Sequence, residues 1–254
     1  MKRLIIILLV AFTFNACLKE ELYDGPNFYE DGFENYSMLD HLLEGDDIFW
    51  SFTQLTRTTN SIVVDSTHTH SGEKSLKFTA EISTPSQLSK CSIAKQNMAF
   101  WEGETIRFSG WYFLQDTNTL DWIFLADIEE QTPIGAGPGM RLALVDNQLR
   151  VEHKFYESDI LQPTDQAIDF PRDQWVELIW EIKLSQKNEG TVKLWQDGLL
   201  IINTENNRTL PKDLLYAQQG TKGMYTSIEI GITANSFDAA TVLWVDDVKF
   251  EKLE

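Results

Sequence analysis

Cysteine is almost missing from this chain. Only Cys17 and Cys91 occur in 254 residues, too few for a disulfide framework. Basic residues are scarce as well, with 21 Lys and Arg against 39 Asp and Glu and a net charge of −18. A surface that acidic excludes nucleic acid as a partner, because phosphate binding needs a basic field. Past residue 12 no apolar run approaches the roughly 20 residues of a membrane-spanning helix. Helical periodicity is absent apart from 36–43, where one or two turns are expected. There is no internal repeat and no low-complexity stretch. Histidine numbers four. His68 and His70 have no evident third ligand nearby, which favours a loop pair over a metal site. Hydrophobic residues at 43% and charged residues at 24% leave an ordinary folded protein, large enough for one all-β domain.

The single early apolar run reads as an address. Lys2-Arg3 precedes nine apolar residues at 4–12, the length of a signal-peptide core. Phe14-Asn15-Ala16-Cys17 then resembles a bacterial lipobox, with Phe14 in place of the usual Leu. Residues 1–17 are expected to be a lipoprotein signal peptide, with Cys17 lipidated; the alternative is a plain secretory signal. Lys19-Glu20-Glu21 resembles the surface-export signal of Bacteroidetes lipoproteins, or is simply a solvated tether. Residues 18–30 are expected to be that tether, and 31–254 one domain anchored to the outer membrane through lipid alone, facing the cell surface. Cys91 reads as a buried free thiol.

The body is a series of short runs rich in Val, Ile, Trp, Tyr and Phe between turn residues. The clearest are 61–64, 74–80, 105–114, 121–129, 140–145, 148–156, 175–184, 190–196, 199–203, 227–234 and 241–251. Asp146-Asn147 and Asp197-Gly198 have the chemistry of hairpin turns. The Gly/Pro-rich stretch 132–139 reads as a loop. This many strands without intervening helices predict an all-β, two-sheet antiparallel jelly-roll sandwich. Alternation assigns faces. Leu149, Val151 and His153 point inward, and Arg150, Glu152, Lys154 and Tyr156 point the other way. Asp127 and Glu129 share a face, as do Glu229, Thr233 and Asn235. Arg107, Ser109 and Trp111 share another. Arg141, Asp127, Glu129, Glu152 and Lys154 are thus candidates for one interlocked network. It either lines a glycan groove or balances charge on the outside of a sandwich. Trp175, Trp195 and Trp244 suit core packing. Trp50, Trp101, Trp111 and Trp122 are open to either core or sugar-stacking roles.

Five segments taken together resemble a known family. They are His70-Ser71-Gly72-Glu73-Lys74-Ser75-Leu76-Lys77-Phe78, Gly110-Trp111-Tyr112-Phe113, the run from Phe170 to Leu178, the run from Gly190 to Gly198, and Trp244-Val245-Asp246-Asp247-Val248. This set resembles the concanavalin A-like jelly rolls, most closely the heparin-lyase-like polysaccharide lyases, over about residues 27–254. The resemblance implies a glycan groove and β-elimination on a uronate-containing glycan. Arg141 and Lys154 would steady the uronate carboxylate, and Tyr156 or Tyr225 would move the proton. Trp111 would stack on a sugar, and Asp127, Glu129, Glu152, Glu229 and Asn235 would bind hydroxyls. Related lyases carry a Gln-x-His pair where this chain has Asp127-Ile128-Glu129, which keeps open a second reading, a non-catalytic glycan-binding lipoprotein of an uptake system. A laminarinase-type hydrolase is disfavoured, because Leu125 stands where its nucleophile belongs. Jelly-roll glycan modules also imply a structural calcium, here at Asp31, Glu34 and Asp247, with solvated carboxylates as the alternative. No other cofactor is expected.

Overall fold

The computed structural model describes residues 25–44, 50–116, 120–132, 135–154, 157–211 and 223–253. The first strand is β1 (Phe28–Asp31), followed by the short helix α1 (Leu39–Leu42). Then come β2 (Phe52–Leu55), β3 (Ser61–Asp65), β4 (Ser75–Ala80), β5 (Cys91–Lys95), β6 (Phe100–Trp101) and β7 (Thr105–Leu114). The second half holds β8 (Trp122–Thr132), β9 (Gly135–Val145), β10 (Gln148–His153), β11 (Trp175–Lys183), β12 (Gly190–Gln196) and β13 (Leu199–Asn207). The series closes with β14 (Met224–Tyr225), β15 (Ser227–Asn235) and β16 (Thr241–Leu253).

These strands make two large antiparallel sheets. One runs β13-β12-β11-β7-β16-β4-β3, with β1 also paired to β16; the other runs β10-β9-β8-β15-β5-β2. The strands β6 and β14 pair separately. The chain is therefore the all-β, two-sheet antiparallel jelly-roll sandwich that the alternation predicts. Between the sheets lies one apolar cluster, including Phe78, Phe108, Trp180, Ile230 and Phe250. Gly231 sits at a tight point of this contact. Its φ is +107°, and a Cβ there would come within 2.6 Å of the Phe78 ring, so only glycine fits. Asp146 and Asn147 take positive φ at the β9–β10 turn, as Asp197 and Gly198 do at the β12–β13 turn.

Three differences from the sequence reading have clear causes. The segment 28–30, expected in the tether, is in β1 and pairs with Glu251, Phe250 and Lys249 of β16. Residues 135–139, expected in a loop, belong to β9, whose Gly139 pairs with Glu129. A Cβ on Gly139 would collide with the Ile128 carbonyl, so the glycine that signals a loop here permits close strand approach. Trp175 and Trp195 are half-buried on the outer face, and the core tryptophan of the neighbouring stretch is Trp180.

Candidate functional site

The six-stranded sheet carries a polar row on the face turned away from the core. Glu229 of β15 pairs directly with Asp127 of β8. Asp127 pairs with Arg141 of β9, and Arg141 with Glu152 of β10. On the other side Ser92 of β5 donates its hydroxyl to Glu229 Oε1, and Gln54 of β2 donates its amide N–H to Glu229 Oε2 at 3.3 Å. Six polar side chains thus cross all six strands. At about 4.8 Å per strand the row extends roughly 24 Å, the length of several sugar rings. Outer-face residues of a sandwich are normally solvated. Here Ser92, Asp127, Glu129 and Glu229 are all buried, so the row lies in a recess.

A β-bulge sets the row's spacing. The register shifts between Phe124 and Ala126, and Leu125 and Ala126 are both buried on the core side. The bulge puts Phe124 on the same side as Asp127, and the Arg141 guanidinium lies over the Phe124 ring at 4.2 Å. Leu125 therefore does not share a face with Asp127 and Glu129, and the carboxylate triplet of the hydrolase reading is absent by geometry as well as by residue type.

Lys154 lies just past β10 with its ammonium 3.0 Å from Asp127 Oδ2 and paired with Glu129. Thr233 donates to Asp127 Oδ1 at 3.0 Å. Burial alone would push the Asp127 carboxyl up, but Lys154, Arg141 and Thr233 outweigh it and hold the group ionised below its usual range. Arg141 Nε lies 3.8 Å from Asp127 and 4.0 Å from Glu152, beyond hydrogen-bond reach, and is buried without an acceptor. That is an opening for an anionic ligand group. Glu152 is raised by burial and by Asp159, partly offset by Arg141 and Arg150. Glu229 is pushed up to about 7 by burial and then by Asp127. A carboxyl poised there can give or take a proton near neutrality.

The remaining sequence candidates stand elsewhere. Tyr156 lies outside the described residues, as does Cys17. Tyr225 is fully buried in β14 and donates its hydroxyl to the Thr209 carbonyl at 2.6 Å, away from the row. Asn235 is also fully buried. Its amide donates to the carbonyls of Glu81 and Ala239, and it accepts from Thr241, which ties β15 to β16. Trp111 is on β7 of the other sheet, with His70 stacked on its ring at 3.7 Å. Alternation gave Trp111 a face but could not say which sheet the face belonged to, and Asn235, expected to share a face with Glu229, pairs with the core residue Ile123 because the register of β15 shifts between Ile230 and Ala234. His153 is buried, with Nδ1 2.8 Å from the Ser158 carbonyl oxygen. Cys91 is buried.

Asp31, Glu34 and Asp247 line one cleft of about 430 Å³. Asp31 fits a metal poorly, because it already accepts from Phe33 N, Tyr29, Tyr36 and Trp50. Glu34 Oε1 accepts from the backbone of Glu73 and Lys74, and Asp247 is engaged by His70 and Ser71. Among the described residues no group of three His, Cys, Asp or Glu is placed to hold a metal ion. No helix among them is long and apolar enough to cross a membrane.

The family model described as polysaccharide lyase matches residues 44–249. The chain belongs to the polysaccharide lyase family. Solved structures of similar fold include an endo-β-1,4-glucuronan lyase from the fungus Trichoderma reesei, at 14% identity and TM-score 0.67, covering 91% of this chain and 96% of that one. The cellulose-induced protein Cip1 matches at 14% identity and TM-score 0.60 over 87% and 95%. The alginate lyase Aly36B matches at 8% identity and TM-score 0.57 over 91% and 100%. No curated protein matches the chain in sequence.

Proposed function

We propose that the protein cleaves a uronate-containing glycan by β-elimination in this recess. The observation that carries the proposal is the row Glu229–Asp127–Arg141–Glu152 on four directly paired strands, its centre buried at Glu229 and Asp127. Arg141, with Nε unsatisfied, neutralises the uronate carboxylate, so that charge moving toward it during proton loss is stabilised. Glu229 accepts the proton from the carbon beside that carboxylate. The bond to the glycosidic oxygen then breaks, a carbon–carbon double bond forms in the uronate ring, and the protonated Glu229 returns its proton to the leaving oxygen. Asp127 and Lys154 hold Arg141 and Glu229 in place. Tyr156 is the other candidate for the proton transfer. The reaction creates an ultraviolet-absorbing unsaturated end, so a rise in absorbance with a uronate glycan tests the proposal. Arg141→Ala should lose at least a hundredfold in kcat. Absence of any rise with every uronate glycan tried would overturn elimination.

Lipidation of Cys17 and display at the outer membrane surface belong to the same proposal. They are supported by the basic, apolar and small-Cys order of residues 1–17. Cys17→Ser should move the protein from the membrane fraction to the soluble fraction.

A further inference from the structure

One contact chain leads out of the row. The Arg141 guanidinium covers Phe124. Phe124 lies 4.9 Å from Trp122, ring to ring. Trp122 meets Phe237 edge-on at 5.7 Å. Phe237 stands in the connection between β15 and β16 and is 46% exposed, which is costly for a phenylalanine unless something covers it. Trp122 is half-buried on the recessed side of β8. It pairs with Val145, four residues along β9 from Arg141, or roughly 13 Å at strand rise. Between side chains the path is shorter, 4.2 Å from the guanidinium to the Phe124 ring and 4.9 Å on to Trp122, within reach of a ring next to the reacting uronate.

The charges around the row limit what that ring can be. Every cation near it already has carboxylates beside it. Lys154 has Asp127 and Glu129, Arg141 has Asp127 and Glu152, and Arg150 has Glu152 and Asp159. Arg141 and Arg150 each keep a buried Nε without an acceptor, whereas at the level of Trp122 the paired residues of β9 and β10 are Val145 and Gln148, neither of them charged. At the outer end Asp121 and Asp238 face each other beside Trp122 and Phe237. A glycan with a carboxylate on every ring would set several of them against this acidic wall. A ring without one offers hydroxyls or an amine to the carboxylates and an apolar face to the aromatics.

We propose that Trp122, Phe124 and Phe237 form a stacking subsite for a sugar ring that carries no carboxylate, so that the substrate is a heteroglycan with uronates separated by neutral or amino sugars. The proposal deepens the β-elimination reading and rests on the same recess.

Affinity electrophoresis separates the two. The protein is run through gels loaded with glycans in which glucuronate alternates with N-acetylhexosamine or with deoxyhexose, and through gels loaded with alginate or glucuronan. The expected result is retardation by an alternating glycan and none by the two polyuronates. Trp122→Ala and Phe237→Ala should each weaken retention about tenfold, and Trp122→Phe should keep most of it. Phe237 is exposed, so its loss leaves the core intact, and melting temperature checks both variants. Retention that depends on these aromatics, without any unsaturated product, would keep the subsite and remove the elimination reading. Equal or tighter retention by a polyuronate, folded variants that bind like the parent, or no retention by any glycan would each overturn the subsite.

Discussion

Lys154 is a single ammonium between two carboxylates, Asp127 and Glu129, in surroundings almost closed to water. Removing one member of such a group leaves like charges facing each other without compensation. Lys154→Met should therefore cost about 3–5 kcal/mol, read from urea unfolding. Glu229 behaves in the opposite sense. Its carboxyl titrates at about 7 in the fold, against 4.5 for an ordinary glutamate. Between those values the folded protein holds a proton that the unfolded chain has released, so this group's contribution to stability is complete below 4.5 and lost as pH rises to 7. Glu229→Gln should thus gain melting temperature over the parent progressively from pH 4.5 to 7 and by a constant amount above. A flat difference across that range would show that Glu229 titrates normally. Period-2 alternation made much of this legible in the sequence. It put Arg141, Asp127, Glu129, Glu152 and Lys154 in one network, and it turned His153 inward. Glu229 could be put on a face, but its place beside Asp127 depends on β15 lying next to β8, a neighbour about a hundred residues away in sequence. No local pattern encodes that pairing.

At the level of strands, the eleven apolar runs that the sequence marks all correspond to strands. The five that it does not mark are short or polar. β5 reads Cys-Ser-Ile-Ala-Lys, a string without the usual β-branched density, yet it supplies Ser92 to the row. The bulge in β8 is equally hidden, because one extra residue leaves no compositional trace, although it decides that Phe124 and Asp127 share a side. Gly139 shows how tightly β8 and β9 are drawn together. It pairs with Glu129, and its carbonyl accepts from Lys154 N at 2.8 Å. Gly139→Ala must push β9 away from Ile128. The expected cost is about 1–3 kcal/mol, the range for an overpacked interior, with glycan retention falling together with stability. An alanine variant as stable as the parent would show that the strands can part without penalty.

Over the whole molecule, the two sheets differ in what they do. The eight-stranded sheet turns aromatics outward, with His70 stacked on the half-buried Trp111 and His68 covering the buried Trp244. The six-stranded sheet holds the charged row. The larger sheet depends on its final strand, since β16 lies between β7 and β4 and also pairs with β1. A chain truncated after residue 240 should lose the cooperative unfolding transition entirely and be cut rapidly by protease. Protection equal to the parent's would mean that the remaining strands close up without β16. A strand so late in sequence and so central in space also controls timing. While the ribosome still holds residues 241–253, the strands that will flank them have no common partner, and the nascent protein stays open and pliable. The sandwich can shut only once synthesis has passed residue 253, so until then a chain of this design remains threadable through a narrow channel.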